Sequence, residues 1–299
     1  MSFVSAARQQ AKLTVLRYPG LLPWFEYRNR LRKTVRPMLI RRREENEAAS
    51  AFAALPDRPA ARVVTVIPTY RRPALLARAV ASALQQSVTD HHVVVVDDGG
   101  GDVDLDPHPR LTVVRLGRNI GVAGAVRNVG IRVTRSEVLA FLDDDNEWMQ
   151  DHLERCLELV DRGVFLVYGG LVRFDDEGRE LDMHDEPFDR RLLRSRSYID
   201  TSAIVVRRAP DVFFSRLPRS RLDFPVEDWE LVWRLSRRHR VALSPEPTVR
   251  YTVHEGSYFS SWFDDPDSPL LRRRARHTDQ TPDVIERAKS LTSPPITRP

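Results

Sequence analysis

Asp143, Asp144 and Asp145 stand side by side directly after the apolar run at 138–142. Carboxylates this close repel one another unless a cation or a proton intervenes. In extended backbone, positions i and i+2 point to the same side. The spacing therefore predicts Asp143 and Asp145 on one face, with Asp144 turned away. Two converging carboxylates suit a hard cation such as Mg2+ or Mn2+, which takes oxygen ligands together with water or substrate phosphates. A solvated acidic loop is the plain alternative, and the direct tie to a buried-type run argues against it.

Other positions carry groups of the same kind. Asp97 and Asp98 end the run at 93–96 and lead into Gly99, Gly100 and Gly101, where the backbone can turn sharply and a ligand can approach closely. A carboxylate there can accept hydrogen bonds from a base or a ribose. Asp228, within Glu227-Asp228-Trp229-Glu230, opens a helical pattern and suits a helix cap, a general base, or both. His254 follows Tyr251-Thr252-Val253 at a strand end, where an imidazole could complete a metal shell, meet a phosphate oxygen or simply face water. Over 117–128, glycines and arginines follow a strand, a composition suited to phosphate or ribose contacts near a helix start.

These groups need elements to position them. The runs at 63–67, 93–96, 111–116 and 138–142 read as buried strands; the patterns from Pro73 and over 122–131 read as helices. Such alternation predicts an α/β fold with a mainly parallel, helix-covered sheet, whose ligands bind beyond the carboxyl ends of the strands. Further on come a helix over 151–162, strands near 165–168 and 203–206, and a helix over 229–238. Residues 1–58 mix apolar and aromatic positions with arginines and read as basic amphipathic helices. A domain over 59–263 holds the chemistry, and 264–299, rich in Pro, Asp, Ser and Arg, reads as a partly helical or disordered tail.

Composition narrows the function. The 299 residues, 41% hydrophobic and 30% charged, are ordinary for a soluble globular chain. Net charge is +5, but residues 1–50 carry 11 Lys and Arg against 4 Glu, so the excess is local. Positive charge confined to one end argues against a nucleic-acid partner and leaves that segment to an anionic membrane surface or a partner subunit. No apolar run is long enough to span a bilayer and no signal-peptide core is visible. A cytoplasmic protein is expected, peripheral at the membrane if the basic segment binds lipid. The lone Cys156 allows neither an internal disulfide nor a thiolate metal site. The Gly-x-Gly-x-x-Gly fingerprint and the Walker-type sequence are both missing, so a nucleotide would bind by other means.

Taken in order, five pieces resemble family 2 glycosyltransferases of the GT-A fold over residues 63–257. They are Val66-Ile67-Pro68-Thr69-Tyr70; Val95-Val96-Asp97-Asp98-Gly99; Arg118-Asn119-x-Gly121 with Ala125-x-Arg127-Asn128-x-Gly130; Phe141-Leu142-Asp143-Asp144-Asp145-x-x-Trp148; and Glu227-Asp228-x-x-Leu231. The resemblance implies transfer of a sugar from a nucleoside diphosphate donor, most often UDP-linked, to an acceptor hydroxyl. It implies inversion at the anomeric carbon, with Mn2+ or Mg2+ as cofactor. The acceptor would be a saccharide, a lipid-linked molecule or a small natural product. Pro68, Thr69, Tyr70, Asp98, Arg127, Asp143 and Asp144 would line the nucleotide, Asp145 and His254 would hold the metal, and Asp228 would be the base. Asn146 stands where many relatives have another acid, and Gly100 where Ser often follows the Asp-Asp-Gly turn.

Two other readings use the same residues. A metal-dependent nucleotidyltransferase also needs paired carboxylates, but it opens on a basic, Gly-rich phosphate loop, which Pro68-Thr69-Tyr70-Arg71-Arg72-Pro73 is not. A non-catalytic binding module sits poorly with Asp98, Asp143, Asp145 and Asp228 all present.

Overall fold

The computed structural model describes residues 22–175, 177–193, 197–216 and 227–253. His254 and the segment 264–299 lie outside them. The core is a nine-stranded sheet. Strands β1 (Val63–Thr69), β2 (His91–Asp97), β3 (Leu111–Arg115) and β4 (Val138–Phe141) pair in parallel in the order β3-β2-β1-β4. Every residue of β1 and β4 is buried. Unbroken Val, Ile and Leu runs are what a strand needs when helices cover both faces.

The second half adds β5 (Asn146–Trp148), β6 (Leu166–Phe174), β7 (Glu180–His184), β8 (Ile204–Arg207) and β9 (Val241–Thr252), extending the sheet as β4-β8-β6-β9-β5 with β7 on β6. Here β8 runs antiparallel to both β4 and β6, while β9 is parallel to β6 and antiparallel to β5. The expected parallel sheet is thus the first half of the molecule, and the second half is mixed.

The helices are α1 (Leu22–Ala54), α2 (Pro73–Leu84), α3 (Ala123–Val133), α4 (His152–Asp161), α5 (Arg190–Leu193) and α6 (Glu227–Leu235). Pro73 opens α2, where a missing N–H leaves no hydrogen bond unmade. The buried Cys156 is a core residue of α4. Helix α3 lies close to the sheet because Gly130 faces it; a Cβ there would come within 2.5 Å of Val66 Cγ1.

From β1 the chain winds outward to β3, then returns past β1 to β4. With right-handed crossovers, α3 falls on the face opposite α2. The reversal opens a crevice beyond the carboxyl ends of β1 and β4. Thr69 and the three aspartates stand at those ends.

Helix α1 packs on α3. Its inward stripe Ile40, Glu44, Ala48 and Ala51 is buried. The Glu44 carboxylate, fully buried, accepts hydrogen bonds from Asn128 Nδ2 (3.1 Å), Arg132 Nε (3.1 Å) and Arg216 Nε (2.7 Å). Glu47 accepts from the backbone N–H of Gly117 at 2.8 Å. These bonds hold α1 in the same compact unit as the sheet.

Candidate active site

After Phe141 the backbone leaves β4, and Asn146 N donates to Asp143 O at 3.2 Å, so the three aspartates lie on a tight turn. Alternation by two belongs to extended chain and does not apply here. Asp144 is accordingly turned into the protein, contrary to the expectation that it points away. It is 7% exposed and accepts from Thr69 Oγ1 (2.8 Å) and Arg72 Nη1 (3.3 Å). Asp145 accepts from the same Arg72 nitrogen at 2.9 Å, and Asp143 is bonded to Arg127 Nη2. Burial outweighs the Thr69 hydrogen bond and pushes the Asp144 carboxyl up to about 6.

Two arginines therefore balance the acidic turn. Arg127 is 1% exposed, stands over the Phe214 ring at 5.1 Å and lies 3.9 Å from Glu227 Oε2. Its place is behind the turn, steadying Asp143. Arg72 is not among the residues expected from the sequence. The available signal was a basic side chain three residues beyond Thr69, just past the same strand end.

At the end of β2, Asp97 accepts from Gly100 N (2.7 Å) and Gly101 N (3.0 Å), shaping the glycine turn. Asp98, 5% exposed, accepts from Ile120 N (2.6 Å) and Gly121 N (2.9 Å). Burial raises its pKa, and the two backbone N–H groups oppose that rise. Asp98 thus ties β2 to the loop before α3. Gly99 makes the approach possible: its φ is +76°, and a Cβ would stand 2.9 Å from Asn119 N. Pro68 and Thr69 are buried at the end of β1, whereas the Tyr70 ring is 41% exposed with Arg71 stacked over it at 5.1 Å.

Asp228 sits in the first turn of α6. Its Oδ1 accepts from Trp229 N (2.7 Å) and its Oδ2 from Thr201 Oγ1 (3.2 Å). Thr201 begins a short 3-10 turn, Thr201–Ala203, capped by Asp200, which accepts from Ser202 N at 2.8 Å. Ser202 Oγ in turn accepts from Asp143 N (3.2 Å) and Asn146 Nδ2 (2.8 Å), and Ser202 O accepts from Trp148 Nε1 (2.7 Å). One turn thereby bonds both the acidic turn and the helix that carries Asp228. Burial, then the negative charges of Asp143 and Asp228, push Asp200 up to about 7. Asp200, Thr201 and Ser202 carry no signal that sequence reasoning could have found, being three short polar residues ahead of an apolar run.

Glu227, just before Asp228, has φ +50° and is 3% exposed. That backbone is unfavourable for a side chain with a Cβ. It turns the carboxylate back to accept from Gly124 N at 3.3 Å, at the start of α3.

Among the described residues, no three His, Cys, Asp or Glu side chains gather as a metal cage. Asp145 nonetheless offers the donor a hard cation takes, one carboxylate whose partners would be water and substrate phosphates.

A family model described as Glycosyl transferase family 2 matches residues 64–215, just over half of the chain. No curated protein matches. Among solved structures, S. aureus TarS 1-349 in complex with UDP-GlcNAc aligns at a TM-score of 0.50 with 19% identity, covering 67% of this chain and 61% of that one. S. aureus TarS 1-349 in complex with UDP aligns at 0.49 with 17% identity, covering 70% and 66%. The chain spans less than two thirds of the length of these structures, and at this identity the likeness is one of fold. The family match sets aside the nucleotidyltransferase and non-catalytic readings. With the acidic turn at the switch point of its sheet and the match running from β1 through β8, the chain belongs to glycosyl transferase family 2 and is a glycosyltransferase of the GT-A fold.

Proposed function

We propose that this enzyme transfers a sugar from a UDP-linked donor to an acceptor hydroxyl with inversion, Asp228 acting as the base. The observation that carries this reading is the turn at 200–202, which bonds Asp143 through Ser202 and Asp228 through Thr201. A donor-side carboxylate and a base candidate thus share one rigid support. Asp228 would take the proton of the acceptor hydroxyl as its oxygen attacks the anomeric carbon and the bond to the diphosphate breaks. Thr69, Tyr70, Asp98 and the acidic turn would surround the nucleotide, with Arg72 beside its phosphates. Uridine is favoured by the likeness to S. aureus TarS 1-349, whose structure at a TM-score of 0.50 is a complex with UDP-GlcNAc.

Asp145 would hold Mn2+ or Mg2+, which when bound neutralises the charge of the departing diphosphate. The acceptor is a saccharide, a lipid-linked molecule or a small natural product. Titration calorimetry tests the donor side: UDP should bind measurably only with Mn2+ or Mg2+, and Asp145→Ala should weaken that dependence. Equal binding without metal would remove the cation from the reading, and no binding in either condition would remove UDP. Asp228→Asn should leave UDP binding intact and abolish transfer.

A further inference from the structure

Over residues 35–47 most charged residues of α1 are sorted by face. Glu44 points inward, into the cluster with Arg132 and Arg216, and Glu47 bonds Gly117 N. The bases point the other way. Arg36, Arg41, Arg42 and Arg43 are exposed, and only Arg41 has an acidic partner among the described residues, Glu45 at 2.8 Å. Between them Val35, Met38 and Leu39 are 44%, 64% and 55% exposed. At 3.6 residues per turn, positions 35, 38, 39 and 42 form one outward stripe, with 36 and 43 along one flank and 41 along the other. The outer face of this stretch is therefore an apolar strip bordered by guanidinium groups, while Glu44 and Glu47 are spent against the domain.

We propose that this outer face of α1 lies on the surface of an anionic lipid bilayer, holding the glycosyltransferase domain at the membrane as a peripheral protein. No described helix is long and apolar enough to cross a membrane, so the contact is one of surface and not of span. The chemistry selects lipid over other polyanions. A nucleic acid would pair with the arginines but leave Met38 and Leu39 in water. At a bilayer interface the apolar strip enters the headgroup boundary while the arginines extend their stems and meet lipid phosphates. The charge sorting adds to this, because Glu45 is the one acid of this stretch that is not turned to the domain, and it is paired with Arg41. This inference does not depend on the identity of donor or acceptor.

Co-sedimentation of the full chain with vesicles is the test. The protein should pellet with an equal mixture of phosphatidylcholine and phosphatidylglycerol at about 0.1 M salt and be released at about 0.5 M. It should not pellet with phosphatidylcholine alone. Replacing Arg36, Arg42 and Arg43 together by Gln should lower partition by roughly a hundredfold, since each cation near the surface contributes about a factor of five. Met38→Ser with Leu39→Ser should lower it by roughly tenfold with little change in the salt response. Thermal melting of both variants should match the parent, because the altered side chains are exposed. Equal binding to both vesicle types, no binding to either, or undiminished binding of the arginine variant would overturn the proposal. So would a dimer in light scattering that Met38→Ser with Leu39→Ser dissociates, since a second copy would then cover the face.

Discussion

Thr201 offers a way to separate positioning from binding. Its hydroxyl reaches Asp228 Oδ2 at 3.2 Å, and it makes no described hydrogen bond to the acidic turn. Thr201→Val keeps the shape and removes the hydroxyl. The expected result is a fall of about tenfold in kcat with unchanged UDP affinity and unchanged melting temperature, and recovery with Thr201→Ser. A loss of UDP binding in step with kcat would instead assign Thr201 to the donor site. Its neighbour Asp200 tests electrostatics. Burial and two nearby carboxylates push it up to about 7, above the ordinary aspartate value. A raised carboxyl leaves stability fully present below the unfolded pKa, near 4, and lost as pH rises through the folded value. Asp200→Asn keeps an oxygen for Ser202 N and removes the charge. Above pH 7 the metal-free variant should be more stable than the parent by about 1–2 kcal/mol, a figure reduced because Asp200 is partly open to solvent. The advantage should close as pH falls toward about 4. A constant difference across that range would show that Asp200 is ionised throughout.

Among the elements, α1 and α3 depend on one buried acid. Glu44 receives Asn128, Arg132 and Arg216, so Glu44→Ala leaves three donors facing an emptied site. Arg132 is 43% exposed and can turn to water, which limits the expected loss to about 2 kcal/mol in urea unfolding. Faster amide exchange should appear in α1 and the start of α3, and an unchanged midpoint would deny Glu44 that role. Gly130→Ala strikes the other face of α3, where its Cβ would collide with Val66, and about 1–3 kcal/mol of overpacking is expected. The buried strands were legible because they are continuous apolar runs: 63–67 became Val63–Thr69, and 138–142 became Val138–Phe141. β7, Glu180–His184, was not legible, because its residues are polar or exposed and only pairing with β6 makes them a strand. The same difficulty hid the orientation of Asp144. Periodicity describes an element, and the acidic turn begins where the element ends. The turn at 200–202 was hidden for another reason, since its importance lies in contacts across about 25 to 60 residues of sequence with Asp228, Asn146 and Asp143.

At the scale of the whole molecule, the buried titrating groups pull in opposite directions with pH. Asp144 and Asp200, pushed up to about 6 and about 7, favour the acid side of neutrality. His91 and His152 favour the alkaline side. His91 bonds Thr65 Oγ1 at 2.7 Å within the parallel sheet; His152 bonds Thr248 Oγ1 at 2.7 Å and stacks on Trp148 with centroids 4.5 Å apart. Burial pushes both imidazoles down to about 3. A depressed histidine contributes stability that is complete above its unfolded pKa, near 6.5, and is lost as pH falls toward the folded value, because the unfolded chain takes up the proton first. Each such group lowers unfolding free energy by about 1.4 kcal/mol per pH unit once pH is well below 6.5. In the parent the carboxylates offset this between about pH 4 and 6. The Asp200→Asn background removes part of the offset, so its stability should fall more steeply than the parent's from pH 6.5 to 4.5. Adding His91→Gln, whose amide can still meet Thr65, should lower stability at pH 8 by its packing loss but reduce that slope by about 1 kcal/mol per unit. Urea unfolding of the three proteins at several pH values measures both slopes. If His91→Gln leaves the slope unchanged, His91 is charged in the folded protein, and the buried, neutral imidazole within the parallel sheet is wrong.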